Sequence, residues 1–202
     1  TVTDVARFNE KNYINSADFF KPKYLDPFIT LEEGERYSPE DSRNTSRRLS
    51  TVGAYKFVNI QYKEVDSLST DSLGFLQANI FLSPLNKRAI RAELQAVTKS
   101  NNFAGPGLAL TYSNRNLFNG GETLNTTASF GYEVQMGSGS NSGNTSINIG
   151  LKSELIFPRV IFPIKIDTDF FQYAIPKTKT SLGVDYLSRT KLYTLLSGTA
   201  QF

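Results

Sequence analysis

From Leu124 to Val134 the chain alternates with period two: Leu124, Thr126, Ala128, Phe130, Tyr132 and Val134 fall on one side, Asn125, Thr127, Ser129, Gly131 and Glu133 on the other. A strand that is apolar on one side only must turn that side to a second layer of protein or to lipid. The run has the length, about 9 to 11 residues, that crosses a bilayer at a steep tilt. Just upstream, Leu108, Leu110 and Tyr112 alternate with Ala109, Thr111 and Ser113, and the connector SNRNLFNGG closes on two glycines. Gly105 to Val134 is therefore predicted to be a β-hairpin. Soluble antiparallel sheets alternate in the same way, so the period alone does not choose between a sandwich and a membrane barrel.

The pattern recurs on both sides of this hairpin. In Lys87 to Lys99, Ile90, Ala92, Leu94 and Ala96 oppose Arg91, Glu93, Gln95, Val97 and Lys99; in Ser146 to Phe157, Ile147, Ile149, Leu151, Leu155 and Phe157 oppose Asn148, Gly150, Lys152 and Glu154. With the apolar sets toward lipid, Glu133, Lys152 and Glu154 face a water-filled lumen. Leu192 to Phe202 adds a further strand, irregular because Leu195 and Leu196 break parity. Between strands, Met136 to Asn144 is a Gly/Ser/Asn loop, and Pro158 and Pro163 make Leu155 to Ile164 a bend.

The first 84 residues read differently. Asn12 to Asp18 is a possible strand. In Phe19 to Glu33, Tyr24, Leu25, Phe28 and Ile29 fall at helical spacing interrupted by Pro27. Ser38 to Gly53 has both helix ends signalled, with Ser38 as N-cap, Pro39 at the first position, Glu40 and Asp41 near the positive end and Arg47 and Arg48 near the negative end. Two strands follow, Tyr55 to Glu64 and Leu73 to Leu82, separated by the polar turn VDSLSTDS. This order predicts a small α+β domain, residues 1–84, with helices on one face of a sheet, and Pro84 separates it from the strands of 85–202.

Composition narrows the chemistry. With neither Cys nor His, the chain lacks disulfides, thiol nucleophiles, the commonest metal ligands and the commonest general base. The formal net charge is +3 without a basic tract, which argues against nucleic acid. No run of about 18 apolar residues offers a transmembrane helix, and a membrane barrel would leave none either. The start, TVTDVARFNEK, lacks the pattern of a signal peptide, so for an exported parent the leader is expected upstream. Glu93, Glu122, Glu133, Glu154 and Asp185 are the carboxylates to weigh for acid–base catalysis, and no spacing among them suggests a shared cleft. GSGSNSG at Gly137 to Gly143 lacks the Lys and the helix of a phosphate loop. Neither an enzyme nor a cofactor or metal site is expected.

In the central hairpin, Gly107, Tyr112, Asn114, Arg115, Asn116, Leu117, Phe118, Gly120, Gly121 and Glu122 resemble the first barrel hairpin of the BamA/TamA outer-membrane insertase superfamily, and most nearly that of the TamA-like (TamL) proteins of Bacteroidetes. Gly34 to Ile60 resembles the last POTRA domain of the same superfamily, and Leu155 to Ile164 and Pro176 to Arg189 resemble its proline bend and the strand after it. The resemblance implies an α+β POTRA domain followed by part of an all-β antiparallel transmembrane β-barrel. Six strands do not close such a barrel, so further strands are expected to follow.

What the resemblance implies about function is mechanical: assembly or translocation of proteins at the bacterial outer membrane, with the POTRA domain in the periplasm. The first barrel strand, through Arg91, Ala92, Glu93, Leu94, Gln95, Ala96 and Val97, would form a lateral gate whose free N–H and C=O groups template an incoming strand. The implied partners are outer-membrane lipid, nascent outer-membrane protein clients, and either a TamB-like periplasmic protein or Bam-type lipoproteins. In that topology Asn101 to Gly105 and Met136 to Asn144 are extracellular, and Asn114 to Gly121 and Pro158 to Lys177 periplasmic. BamA itself or a two-partner secretion transporter is the alternative within barrels. A soluble carbohydrate-binding or adhesin β-sandwich is the alternative from another class.

Overall fold

The computed structural model describes residues 3–16, 19–65, 74–137, 143–161 and 176–202. Along the chain run β1 (Thr3–Phe8), β2 (Lys11–Ser16), α1 (Pro22–Leu25) with a 3-10 turn over Asp26–Phe28, α2 (Pro39–Thr51), β3 (Tyr55–Val65) and β4 (Phe75–Pro84). Six further strands complete it: β5 (Arg88–Thr98), β6 (Phe103–Arg115), β7 (Thr123–Gln135), β8 (Thr145–Phe157), β9 (Thr178–Arg189) and β10 (Tyr193–Gln201). The chain divides into two compact units, one of Thr1–Asn86 with Arg115–Glu122 and Phe157–Thr178, the other of Lys87–Asn114, Thr123–Ile156 and Lys179–Phe202.

In the first unit α2 forms as its termini dictate. The Ser38 hydroxyl accepts from the Asp41 N–H at 3.2 Å, Pro39 takes the first position, and Glu40 and Asp41 sit in the first turn. Its inward face is short and partly polar. Leu49 joins the core of Phe20, Leu25, Phe28, Val52 and Ala54, while Thr45 is buried by accepting from the Thr30 N–H at 3.0 Å. The predicted helix in Phe19 to Glu33 shrinks to one α-turn and one 3-10 turn, because Pro27 has no N–H to continue the ladder. Leu25 and Phe28 are buried from these short turns all the same.

The strand expected over Asn12 to Asp18 is the second arm of a hairpin. Asn9 and Glu10, with φ of +43° and +61°, turn β1 back onto β2 in a two-residue connection. That hairpin is a two-stranded sheet of its own, and β3 and β4 form another, so the single sheet predicted under the helices is absent among the described residues. The strands predicted over Tyr55 to Glu64 and Leu73 to Leu82 are β3 and β4, the second shifted by two residues; Leu73 and most of the turn before it lie outside the described residues. Pro84 ends β4 opposite Tyr55, and the boundary between the two compact units falls after Asn86.

The second unit is a single antiparallel sheet in the order β10-β9-β8-β7-β6-β5, in which every strand lies beside its neighbour in sequence. Its strands are those predicted, with small changes of boundary, and β8 stops at Phe157, just before Pro158. Residues 162–175, with Pro163, and residues 138–142 of the glycine-rich loop lie outside the described residues. Registers align the alternation from strand to strand: Leu94 faces Leu108, Ala92 faces Leu110, Phe130 faces Ile149, and Tyr186 faces Leu196. The parity conflict at the last strand resolves here, since Leu196 falls with the apolar face and Leu195, opposite Leu187, with the other.

Candidate functional site

The apolar face of this sheet is the exposed one. Leu94 is 86% and Ile90 78% exposed, and Leu108, Leu110, Phe130, Ile149, Leu151, Leu182 and Val184 are exposed beside them. On the polar face of the same strands Glu133, Ser146 and Ser181 are buried, while Arg91, Gln95, Asn148, Lys152 and Asp185 are exposed. That distribution is the inverse of a sheet built to sit on a protein core in water.

Hydroxyl, carboxamide and ionic contacts run across the polar face. Thr111 and Thr127 pair at 2.9 Å, the Ser113 hydroxyl donates to Asn125 at 2.7 Å, and Thr126 and Ser153 pair at 2.7 Å on the opposite face. All three residues expected to face inward lie on the polar side. Glu133 holds Lys99 through both carboxylate oxygens, at 2.6 and 2.8 Å, and Glu154 holds Lys152 at 2.7 Å and Lys179 at 2.9 Å.

β5 forms one edge of the sheet, with β6 on one side and no partner on the other among the described residues. Arg91 and Glu93 pair at 2.5 Å on its polar side, joined there by half-buried Val97; Ala92, Leu94 and Ala96 lie on the exposed apolar side. The seven residues read as a gate are thus one continuous stretch of free edge.

The motif residues of the connector belong to the first unit, where they make a tightly specified turn. Asn116, Asn119 and Gly121 have φ of +63°, +59° and +82°, the left-handed region that Asn and Gly tolerate best. Asn116 is fully buried, donates through Nδ2 to the Phe19 carbonyl and accepts from the Gly121 N–H at 2.9 Å. A Cβ on Gly121 would sit 3.0 Å from Pro158 and Val52, a tight contact that adds to the preference for glycine set by φ. The Lys21 N–H donates to the Asn119 carbonyl at 2.9 Å.

Glu122 closes the turn at 0% exposure. One oxygen accepts from the N–H groups of Gly120 at 3.0 Å and Phe118 at 3.3 Å, the other from Arg159 at 2.5 Å. Burial alone would push this carboxyl up, but the Arg159 hydrogen bond, the backbone donors and the Arg159 charge outweigh it and hold the carboxyl below its usual range. Arg159 also donates to the Gly120 carbonyl at 3.0 Å and stacks over the Tyr24 ring at 4.3 Å. Of the remaining motif residues, Arg115 donates to the Asn86 carbonyl at 3.2 Å and Phe118 is exposed. Gly107, Tyr112 and Asn114 lie on β6, outside the turn.

No family model, curated protein or solved structure matches the chain. The geometry therefore carries the functional reading. Glu93, Glu122 and Glu133 each pair with one cation and Glu154 with two, contacts that fix structure. Among the described residues no three His, Cys, Asp or Glu are grouped to hold a metal, and no helix is long and apolar enough to cross a membrane. Sequence reasoning missed Arg159, Lys99 and Lys179, the partners of these acids. Arg159 follows the proline that ends β8 and lies 37 residues from Glu122, a separation no local pattern encodes.

Proposed function

We propose that the chain is part of an outer-membrane protein assembly or translocation component, non-enzymatic, with residues 1–84 as a POTRA-like periplasmic domain and 85–202 as the opening strands of a transmembrane β-barrel. The observation that carries the reading is the exposed apolar face of the sheet, its side chains in register from strand to strand, with Glu133, Ser146 and Ser181 buried on the polar face. Lipid is the medium that makes this arrangement favourable, and a soluble adhesin would turn the same face onto a second layer. The free edge of β5 supports the templating role, because unpaired N–H and C=O groups at bilayer depth cost several kcal/mol each and are relieved by an added strand. The motif likeness of the connector favours the TamA-like branch over BamA or a secretion transporter.

Two pairs of variants in the parent protein test the reading. Ala128→Arg, on the apolar face, should lower folding in lipid vesicles by roughly 2 to 4 kcal/mol near the bilayer midplane, whereas Ser129→Arg, on the polar face, should be close to neutral. Equal losses would point to a sandwich. At the edge, Ala92→Pro removes a backbone donor and Ala92→Ser does not; client assembly should fall with proline only, and equal activity of the two would remove β5 from the mechanism.

A further inference from the structure

A row of side chains crosses the polar face of the six-stranded sheet near the ends of β7, β8 and β9. Glu133 on β7 lies opposite Ser146 on β8. The Thr190 N–H donates to the Thr145 carbonyl at 2.9 Å and the two hydroxyls pair at 2.6 Å, a register that sets Arg189 across from Ser146. Glu133, Ser146 and Arg189 are therefore consecutive across three strands.

Each end of the row is held differently. Lys99 occupies both oxygens of Glu133, so that pair is neutral and closed. Arg189 has no ion pair among the described residues. Its guanidinium is held by aromatic faces, 5.3 Å from the ring of Phe103 and 5.5 Å from that of Tyr193. Ring faces attract the cation but do not accept its in-plane N–H groups. The Nε of Arg189 is buried without an acceptor, and Ser146, 1% exposed, has a buried hydroxyl without a partner. Two unmet polar groups on adjacent strands, beside one unbalanced positive charge, are a combination that native interiors seldom leave.

We propose that Arg189 and Ser146 form an oxyanion site that takes a phosphate group, free or as a monoester. The group must accept from an in-plane Arg N–H and reach a hydroxyl on the next strand, roughly 5 Å away. A tetrahedral oxyanion has oxygens for both, whereas a planar carboxylate docked on the guanidinium fork directs both of its oxygens at the arginine. The nearest acid does not substitute for it, since Glu133 is engaged by Lys99. The site is independent of the membrane reading, because it needs only the sheet and its register.

The test is a titration of the purified chain in detergent micelles with inorganic phosphate, at ionic strength held constant with chloride, read by NMR at the arginine Nε–H groups. Arg189→Lys identifies the signal by removing it. A saturable shift of the Arg189 Nε–H is expected, weakened about fivefold or more in Ser146→Ala and restored in Ser146→Thr. Competition by glycerol phosphate, stronger than inorganic phosphate, would assign the site to an esterified headgroup, and weaker competition to the free ion. Absence of a saturable shift, or a shift that chloride reproduces, overturns the proposal. So does movement of the Arg189 signal in Glu133→Gln without phosphate, which would mean that Glu133 already fills the site.

Discussion

Replacing Glu122 by Gln changes one oxygen to an NH2 group in a site with 0% exposure. The remaining oxygen keeps its value best by accepting from Gly120 and Phe118, which turns the new NH2 toward Arg159. A charge-assisted hydrogen bond worth about 1.5 to 3 kcal/mol is lost and two donors are opposed. Arg159 is 29% exposed and recovers some hydration, so the loss should fall below the roughly 3 to 5 kcal/mol of a fully enclosed pair. We expect about 2 to 3 kcal/mol, read as amide exchange at Gly120 and Phe118 faster by about 30- to 150-fold once corrected for intrinsic rates. The pH dependence follows from the lowered carboxyl pKa. The contribution is fully present above the unfolded value, near 4.3, and is lost as pH falls through the lower folded value. The wild-type turn should therefore loosen in acid, and the Gln variant should show no such step. Unchanged exchange in Glu122→Gln, or an identical acid profile in both proteins, would refute the view that this ion pair holds the turn.

Gly105→Ala should disrupt the pairing of β6 with β7, because its Cβ would overlap the Tyr132 carbonyl and come within 2.8 Å of the Glu133 Cα. The expected loss is at least about 1 to 3 kcal/mol. Gly107→Ala, whose Cβ would come no nearer than 3.7 Å to the Phe130 carbonyl, should be tolerated, and thermal unfolding of the two variants separates the cases. Ser38→Ala removes the cap of α2 and should cost about 1 kcal/mol, measurable by chemical denaturation, with Ser38→Asp close to wild type. Asp26 accepts from Tyr13 at 2.7 Å, Asn9 at 2.7 Å and Lys11 at 3.1 Å. Burial raises its carboxyl, and these donors outweigh burial and lower it; the β1–β2 hairpin should thus lose this tie as pH falls below about 4, and Asp26→Asn should abolish that sensitivity in an NMR titration.

By itself the sequence determined everything that repeats on a short period or is written at a terminus. Four strands of the second unit, β5 to β8, follow from period two, because adjacent residues of a strand must take opposite faces. α2 follows from Ser38, Pro39 and the charges at its two ends. The side of the sheet on which each predicted gate and lumen residue falls was legible for the same reason, since parity alone sets it. Tertiary structure decided what depends on distant partners. Asn9 and Glu10 carry no glycine to announce the turn that folds β1 back onto β2. Glu122 reads as an ordinary motif carboxylate until Arg159 is beside it, and Arg189 as an ordinary strand-end cation until Phe103 and Tyr193 flank it. Alternation could show that one face of the sheet is apolar. That this face carries the exposed side chains depends on how the six strands lie together, which no residue in any one of them encodes.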